Sequence, residues 1–286
     1  DVYKRQPPKV RWQHRKWPAR SIDQFVVSFP KSGRTWLRVL LGAAEAHRHG
    51  ATVEAEVAQW LAQEVPTLDG RPVLFTHALS EEAAEPARHM DLFQQYVGDR
   101  RRLFLVRDPR DVVVSYFFQR VKREDRPGDL PTELPAFVRD PRYGIDRICT
   151  FLASCERGRT EEPGPALLLS YEDLHADAVG SLARVLAFFG AGDTPRPVVE
   201  AAVEYGRFEN MRKLEVSNTL QKQNNRLRAL DPNDPDTFKT RKGRVGSYAE
   251  HLSLEDVAYV EERIAALLPP SLGYARPGEG PAGDRA

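Results

Sequence analysis

Ser28-Phe-Pro-Lys-Ser-Gly-Arg-Thr-Trp36 concentrates hydrogen-bond donors where a short apolar run meets a helix-like one. The first amides of a helix have no partner inside it, and the helix dipole adds partial positive charge there. Gly33 lets the backbone approach an anion closely, Lys31 sets a mobile cation beside it, and Ser32 and Thr35 add hydroxyls. This is phosphate-binding chemistry, in an order unlike the common nucleotide loop G-x-x-x-x-G-K-[ST]. Here Lys31 precedes the only glycine by two positions. A turn that merely caps a helix is the competing reading.

Arg107 opens a second such place, with Ser115 following about two helical turns later. An arginine fork suits phosphate, and a nearby serine can donate to the same group. A strand-end ion pair and a packed helix serine would explain the pair equally well. Arg241-Lys-Gly-Arg-Val-Gly-Ser-Tyr248 packs three cations around two glycines, as an anion wrap or a basic surface loop. His77 closes Val73-Leu-Phe-Thr-His77, and histidine has the near-neutral pKa that proton transfer favours, although a strand-end histidine can also be structural.

Taken in order, Phe29–Trp36, Arg107–Tyr116, Leu169–Leu174 and Arg241–Tyr248 closely resemble the motifs of the sulfotransferase family, over roughly residues 22–265. That family moves a sulfuryl group from 3′-phosphoadenosine 5′-phosphosulfate (PAPS) to an acceptor and releases the desulfated nucleotide, PAP. The resemblance implies that Lys31, Ser32, Gly33, Arg34 and Thr35 hold the 5′-phosphosulfate. Arg107 and Ser115, with Arg241, Lys242 and Gly243, would hold the 3′-phosphate. Trp36 would stack on the adenine, Tyr171 would hydrogen-bond its edge, and Phe208 would make a further adenine contact. Among catalytic residues, His77 would be the general base, Lys31 an electrostatic clamp near the bridging oxygen, and Ser115 a restraint on Lys31 until the acceptor arrives.

The chain departs from the family pattern at four places. Arg34 stands where threonine is frequent, and Phe75 where a lysine often precedes the histidine by two positions, so Lys31 must supply more of the charge. Gly206-Arg207 replaces a hydroxyl residue before Phe208, and Ser247-Tyr248 replaces Asp-Trp. The implied acceptor is a hydroxyl or amine of a small molecule, met by loops around residues 80–100, 124–146 and 218–240, the last of these either a lid or a disordered loop. No metal is implied. A phosphotransferase using a nucleoside triphosphate is disfavoured by the missing Gly-Lys-Ser/Thr loop and the lack of an obvious magnesium site. A noncatalytic PAPS-binding protein is disfavoured by the presence of both His77 and Lys31.

These residues must be positioned by the elements around them. Apolar, β-branched runs predict strands at Ile22–Phe29, Val73–His77, Arg102–Val106 and Ala166–Tyr171. Helices are predicted from Thr35, from Asp108 to Lys122, over Ala136–Arg157 with a kink or restart near Pro141, over Ala178–Phe189 and Pro197–Tyr205, and from a Ser253–Asp256 capping box to Leu268. Glu124–Pro135 reads as a loop. Alternating strands and helices predict an α/β domain, a parallel sheet flanked by helices, and the resemblance adds a P-loop-like nucleotide-binding architecture. The domain is expected over residues 21–270, between a basic tail at 1–20 and a flexible Gly/Pro-rich tail at 271–286. Residues 1–6 begin without Met and read like translated adapter sequence.

Composition narrows the function classes. Against 42 Lys and Arg stand 41 Asp and Glu, a net charge of +1, so nonspecific nucleic-acid binding has no basic footprint and any anion site must be a local concentration of charge. No apolar run approaches the ~20 residues that span a membrane. Two cysteines, Cys149 and Cys155, exclude a disulfide scaffold and read as reduced packing residues of a cytoplasmic protein. The oligomeric state stays open.

Overall fold

The computed structural model describes residues 22–77, 86–124, 128–217, 227, 230, 231 and 233–274. Its sheet contains β1 (Gln24–Ser28), β2 (Thr67–Leu68), β3 (Arg71–Thr76), β4 (Arg101–Val106) and β5 (Ala166–Ser170), in the order β2-β3-β1-β4-β5. All pairings are parallel except the short β2–β3 edge pair.

Alternation along the strands explains why helices cover both faces, since successive side chains point to opposite sides. Phe25 and Val27 of β1 and Phe104 and Val106 of β4 enter one core, while Val26, Leu103 and Leu105 enter the other. In chain order the helices are α1 (Arg34–His49), α2 (Val53–Ala62), α3 (Pro86–Val97), α4 (Pro109–Lys122), α5 (Leu134–Arg139), α6 (Ile145–Thr160), α7 (Tyr171–Ala176), α8 (Ala178–Phe188), α9 (Arg196–Tyr205), α10 (Phe208–Ser217) and α11 (Leu254–Leu267). Helices α3, α4, α5, α6 and α11 pack on the Phe25 face, and α1, α2, α7, α8, α9 and α10 on the Val26 face.

Register positions the site. Val27 pairs with Thr76, Ser28 with Leu105, and Val106 with Ser170, so the segments after β1, β3, β4 and β5 leave the sheet at one edge. Ligands of open α/β sheets bind at that edge.

The β2 edge strand, α2 and α10 were not foreseen. The helix expected from Ala136 begins at Leu134, because Pro135 falls in its first turn, where a missing N–H costs little; it then breaks near Pro141 and restarts at Ile145. Part of 80–100 is α3, whose Met90, Phe93 and Val97 are core residues. The tail expected to be flexible from 271 is docked as far as Tyr274, whose hydroxyl donates to Glu172 at 3.0 Å. The basic tail at 1–20, most of 218–232 and residues 275–286 lie outside the described residues. Cys149 and Cys155 are buried and unpaired with each other, and burial pushes the Cys149 thiol up to about 12. No described helix is long and apolar enough to cross a membrane.

Candidate active site

The chain turns from β1 into α1 through two left-handed residues, Lys31 (φ 70°) and Gly33 (φ 97°). Gly33 is the N-cap of α1; no side chain caps the helix and its first turn has no acid, so the amides and their dipole are left for an anion. Glycine is also required sterically: a Cβ on Gly33 would stand 2.8 Å from Cδ2 of Tyr171.

A cavity of about 360 Å³ opens here. Seven Lys or Arg side chains line it against a single acid, Glu209, the local concentration of charge that the balanced composition required. Its walls gather Lys31, Gly33, Arg34, Thr35, Trp36, His77, Arg107, Ser115, Tyr171, Phe208, Arg241, Lys242 and Gly243 from six separate stretches of chain. Ser32 alone of the expected set is not on the wall; its side chain is fully buried.

Arg107 leaves the end of β4 and is the hub of the site. Its guanidinium donates to the Lys31 carbonyl (3.2 Å), to Asp111 Oδ2 (3.3 Å) and to the Arg244 carbonyl (3.3 Å), and stacks over the Tyr171 ring at 4.2 Å. Its Nε is buried with no partner among the described residues. Ser115 lies two turns along α4, whose N-cap Asp108 accepts from the Arg110 amide.

Trp36 donates from Nε1 to the Gly206 carbonyl (2.8 Å) and meets the Tyr171 ring edge-on at 5.7 Å. His175, one helical turn after Tyr171, packs edge-on to Trp36 and donates from Nε2 to the Gly243 carbonyl (3.0 Å). Phe208 covers Gly243 so closely that a Cβ there would stand 2.2 Å from Cδ2 of Phe208. Arg241 stacks over Phe118 at 4.3 Å and donates to His251 Nε2 (2.9 Å), while Lys242 pairs with Glu250.

Two buried carboxylates tie the segment 239–248 to the domain, and sequence reading assigned neither this task. Asp111 accepts from the amides of Gly246 (2.8 Å) and Tyr248 (2.9 Å) and the Ser247 hydroxyl (3.3 Å). Glu215 of α10 accepts from the amides of Lys239 (2.6 Å) and Thr240 (2.9 Å) and the Thr240 hydroxyl (2.5 Å), with Arg123 at 3.7 Å. An isolated carboxylate in a polar stretch carries no local sign of such partners. His175 had one signal available, its helical spacing from Tyr171.

His77 is half-buried at the end of β3, and its Nδ1 lies 2.7 Å from the Ser28 carbonyl. Burial first, then Arg34, Lys239 and Arg38, hold its pKa well below 6.5, against the opposing effect of the Ser28 hydrogen bond. Burial, then Lys239, Arg123 and Arg107, lower the Lys31 ammonium to about 7, with Glu215 opposing. Phe75 lies in the Val26-face core beneath the Arg38 guanidinium (4.0 Å), off the cavity wall. Of the three loops expected to meet an acceptor, only 218–240 reaches the cavity among the described residues, through Leu227, Lys239 and Thr240. No cluster of metal-ligating side chains occurs among the described residues.

Comparison with known proteins gives a consistent picture. The sulfotransferase domain model matches residues 21–269. The chain is 25% identical to a 3-beta-hydroxysteroid sulfotransferase of Cavia porcellus, over 93% of this chain and 91% of that one. It is 26% identical to cytosolic sulfotransferase 17 of Arabidopsis thaliana, over 85% and 73%. Among solved structures it shares its fold with a mouse sulfotransferase complexed with PAP (TM-score 0.57, 21% identity, covering 87% of this chain and 85% of that one). It also shares the fold with retinol dehydratase in complex with androsterone and PAP (TM-score 0.55, 18% identity, 85% and 80%).

Proposed function

Because this chain belongs to the sulfotransferase domain family, we propose that it transfers the sulfuryl group of PAPS to a hydroxyl or amine of a small-molecule acceptor, with His77 as general base. One observation carries this reading: a single cavity gathers the phosphate turn, the Arg107–Ser115 pair, the Arg241–Gly243 loop and His77. The residues fit a nucleotide with two phosphorylated ends. Seven Lys and Arg residues line the cavity, no side chain caps the N-terminus of α1, and the Arg107 Nε is buried with no hydrogen-bond partner among the described residues. The aromatic rings of Trp36, Tyr171 and Phe208 supply faces for a base.

PAPS, when bound, supplies the sulfuryl group and the 5′-phosphate that leaves. The acceptor atom bonds to sulfur as the bond from sulfur to the phosphate oxygen breaks, and the acceptor proton passes to His77. A carbonyl can only accept, so the Ser28 contact fixes the proton on Nδ1 and makes Nε2 the basic nitrogen. Lys31 and the α1 amides stabilise the charge that grows on the leaving phosphate. Thr35 adds a hydroxyl at the same turn, and Ser115 faces the cavity with Lys31, where it would restrain the lysine.

The direct test compares PAP with AMP. At 100 times its Kd a ligand stabilises the folded state by about 2.7 kcal/mol, and AMP, lacking the 3′-phosphate, should do far less. Mass-shift screening of acceptors with PAPS then reads the transfer itself. Equal thermal shifts with PAP and AMP would remove the 3′-phosphate assignment.

A further inference from the structure

We propose that Lys239 is a further catalytic residue of this site, a second ammonium group that contacts the transferring sulfonate opposite Lys31. The inference rests on the sulfotransferase reading above and assigns a role to the segment just before the Arg241 loop.

The backbone around Lys239 is unusually well held for a polar connection. Glu215 accepts from the Lys239 and Thr240 amides and from the Thr240 hydroxyl. Phe238 is buried beneath Arg212, 3.2 Å from the ring centre, and Arg212 donates to the Thr240 carbonyl at 3.1 Å. Pinned on both sides, residue 239 places its side chain on the cavity wall together with Lys31, Arg34 and His77. A fixed cation needs no reorganisation when charge moves, which is what makes such contacts effective in catalysis.

The charge of Lys239 acts on two other groups of the same cavity. Among neighbouring charges, Lys239 is the largest influence lowering Lys31, and it also lowers His77. Those two side chains flank the transferred group in the proposed reaction, one on the leaving side and one on the acceptor side. Arg107 and Arg123 also act on Lys31, Arg34 and Arg38 also act on His77, and Glu215 opposes them at Lys31; Lys239 is the cation acting on both. An anion that meets both Lys31 and Lys239 offsets their mutual repulsion and keeps both protonated, and the sulfonate is the part of PAPS that PAP lacks.

Calorimetric titration of wild type, Lys239→Gln and Lys239→Arg with PAPS and with PAP tests the assignment. Lys239→Gln should weaken PAPS roughly 10- to 100-fold, the usual effect of a hydrogen bond to a charged group, while PAP stays within about threefold. Lys239→Arg should recover most of the loss. In Lys239→Gln the acid limb of the pH–rate profile should also move to higher pH, because a cation that depresses His77 is gone. Equal weakening of PAPS and PAP, or no weakening of either, overturns the inference and leaves the sulfotransferase reading standing. A wild type that binds neither nucleotide overturns both.

Discussion

The guanidinium of Arg107 donates to the carbonyl oxygen of Lys31 across 3.2 Å, joining the segment after β4 to the turn after β1. These residues are 76 positions apart in the chain. Since Lys31 is in a left-handed conformation, this contact also helps hold a strained turn open for an anion. In the proposed reading, one connected piece of backbone and side chain would therefore meet both ends of the nucleotide.

His77→Ala should separate binding from chemistry. PAP affinity should stay within a few-fold, while transfer falls by about 10²–10⁴, the usual contribution of a positioned general base. In the native protein His77 is neutral well below pH 6.5, so the acid limb of kcat/KM should lie below that value. Near-native rates from His77→Ala with an alcohol acceptor would make the residue structural.

PAP binding should take up a proton at the Lys31 amine. With a free pKa of about 7 the amine is mostly neutral at pH 8, and an anion beside it raises that pKa, so binding protonates it. Calorimetry at pH 8 in buffers of different ionisation enthalpy should read uptake of about one proton, fading below pH 7 where the amine is already charged. Lys31→Met should abolish the uptake; uptake that persists in this variant would place the titrating group elsewhere.

Asp111→Ala should cost both stability and nucleotide affinity. The substitution strands the Gly246 and Tyr248 amides and leaves buried Arg107 without its carboxylate. Breaking a buried pair in this way costs about 3–5 kcal/mol. Thermal unfolding should show the loss directly, and PAP titration should show weakening beyond that of His77→Ala. A stable variant with native PAP affinity would contradict the role given to Asp111.

Gly33→Ala should cost more than Gly50→Ala, although both glycines have positive φ. At Gly50 nothing lies within 4 Å of the added methyl, leaving only backbone strain of about 1–2 kcal/mol. At Gly33 the methyl also meets Tyr171, on which Arg107 stacks. Denaturant titration should rank the two variants, and only Gly33→Ala should also weaken PAP. Equal stability losses would mean that the Tyr171 ring yields freely.

Local chemistry determined much of this protein before any distant contact formed. Continuous apolar, β-branched runs specify the parallel strands, and Asp108 and Ser253 specify helix starts, because each acts on neighbours a few residues away. Lys31, Gly33, Arg107 and His77 stand out in the sequence for the same reason: each lies in a segment that follows a strand, and one sheet edge collects those segments. The tertiary structure alone decided what those residues feel. Asp111 finds the Gly246 amide 135 residues away, and Glu215 finds the backbone of Lys239 and Thr240 across an irregular segment. It also decided that Ser32 lies behind the cavity wall, that Phe75 belongs to the core under Arg38, and that Tyr274 is docked. Hydrogen bonds and charge effects between residues distant in sequence depend on which loops the fold brings within a few ångströms. No periodicity in the chain encodes that distance.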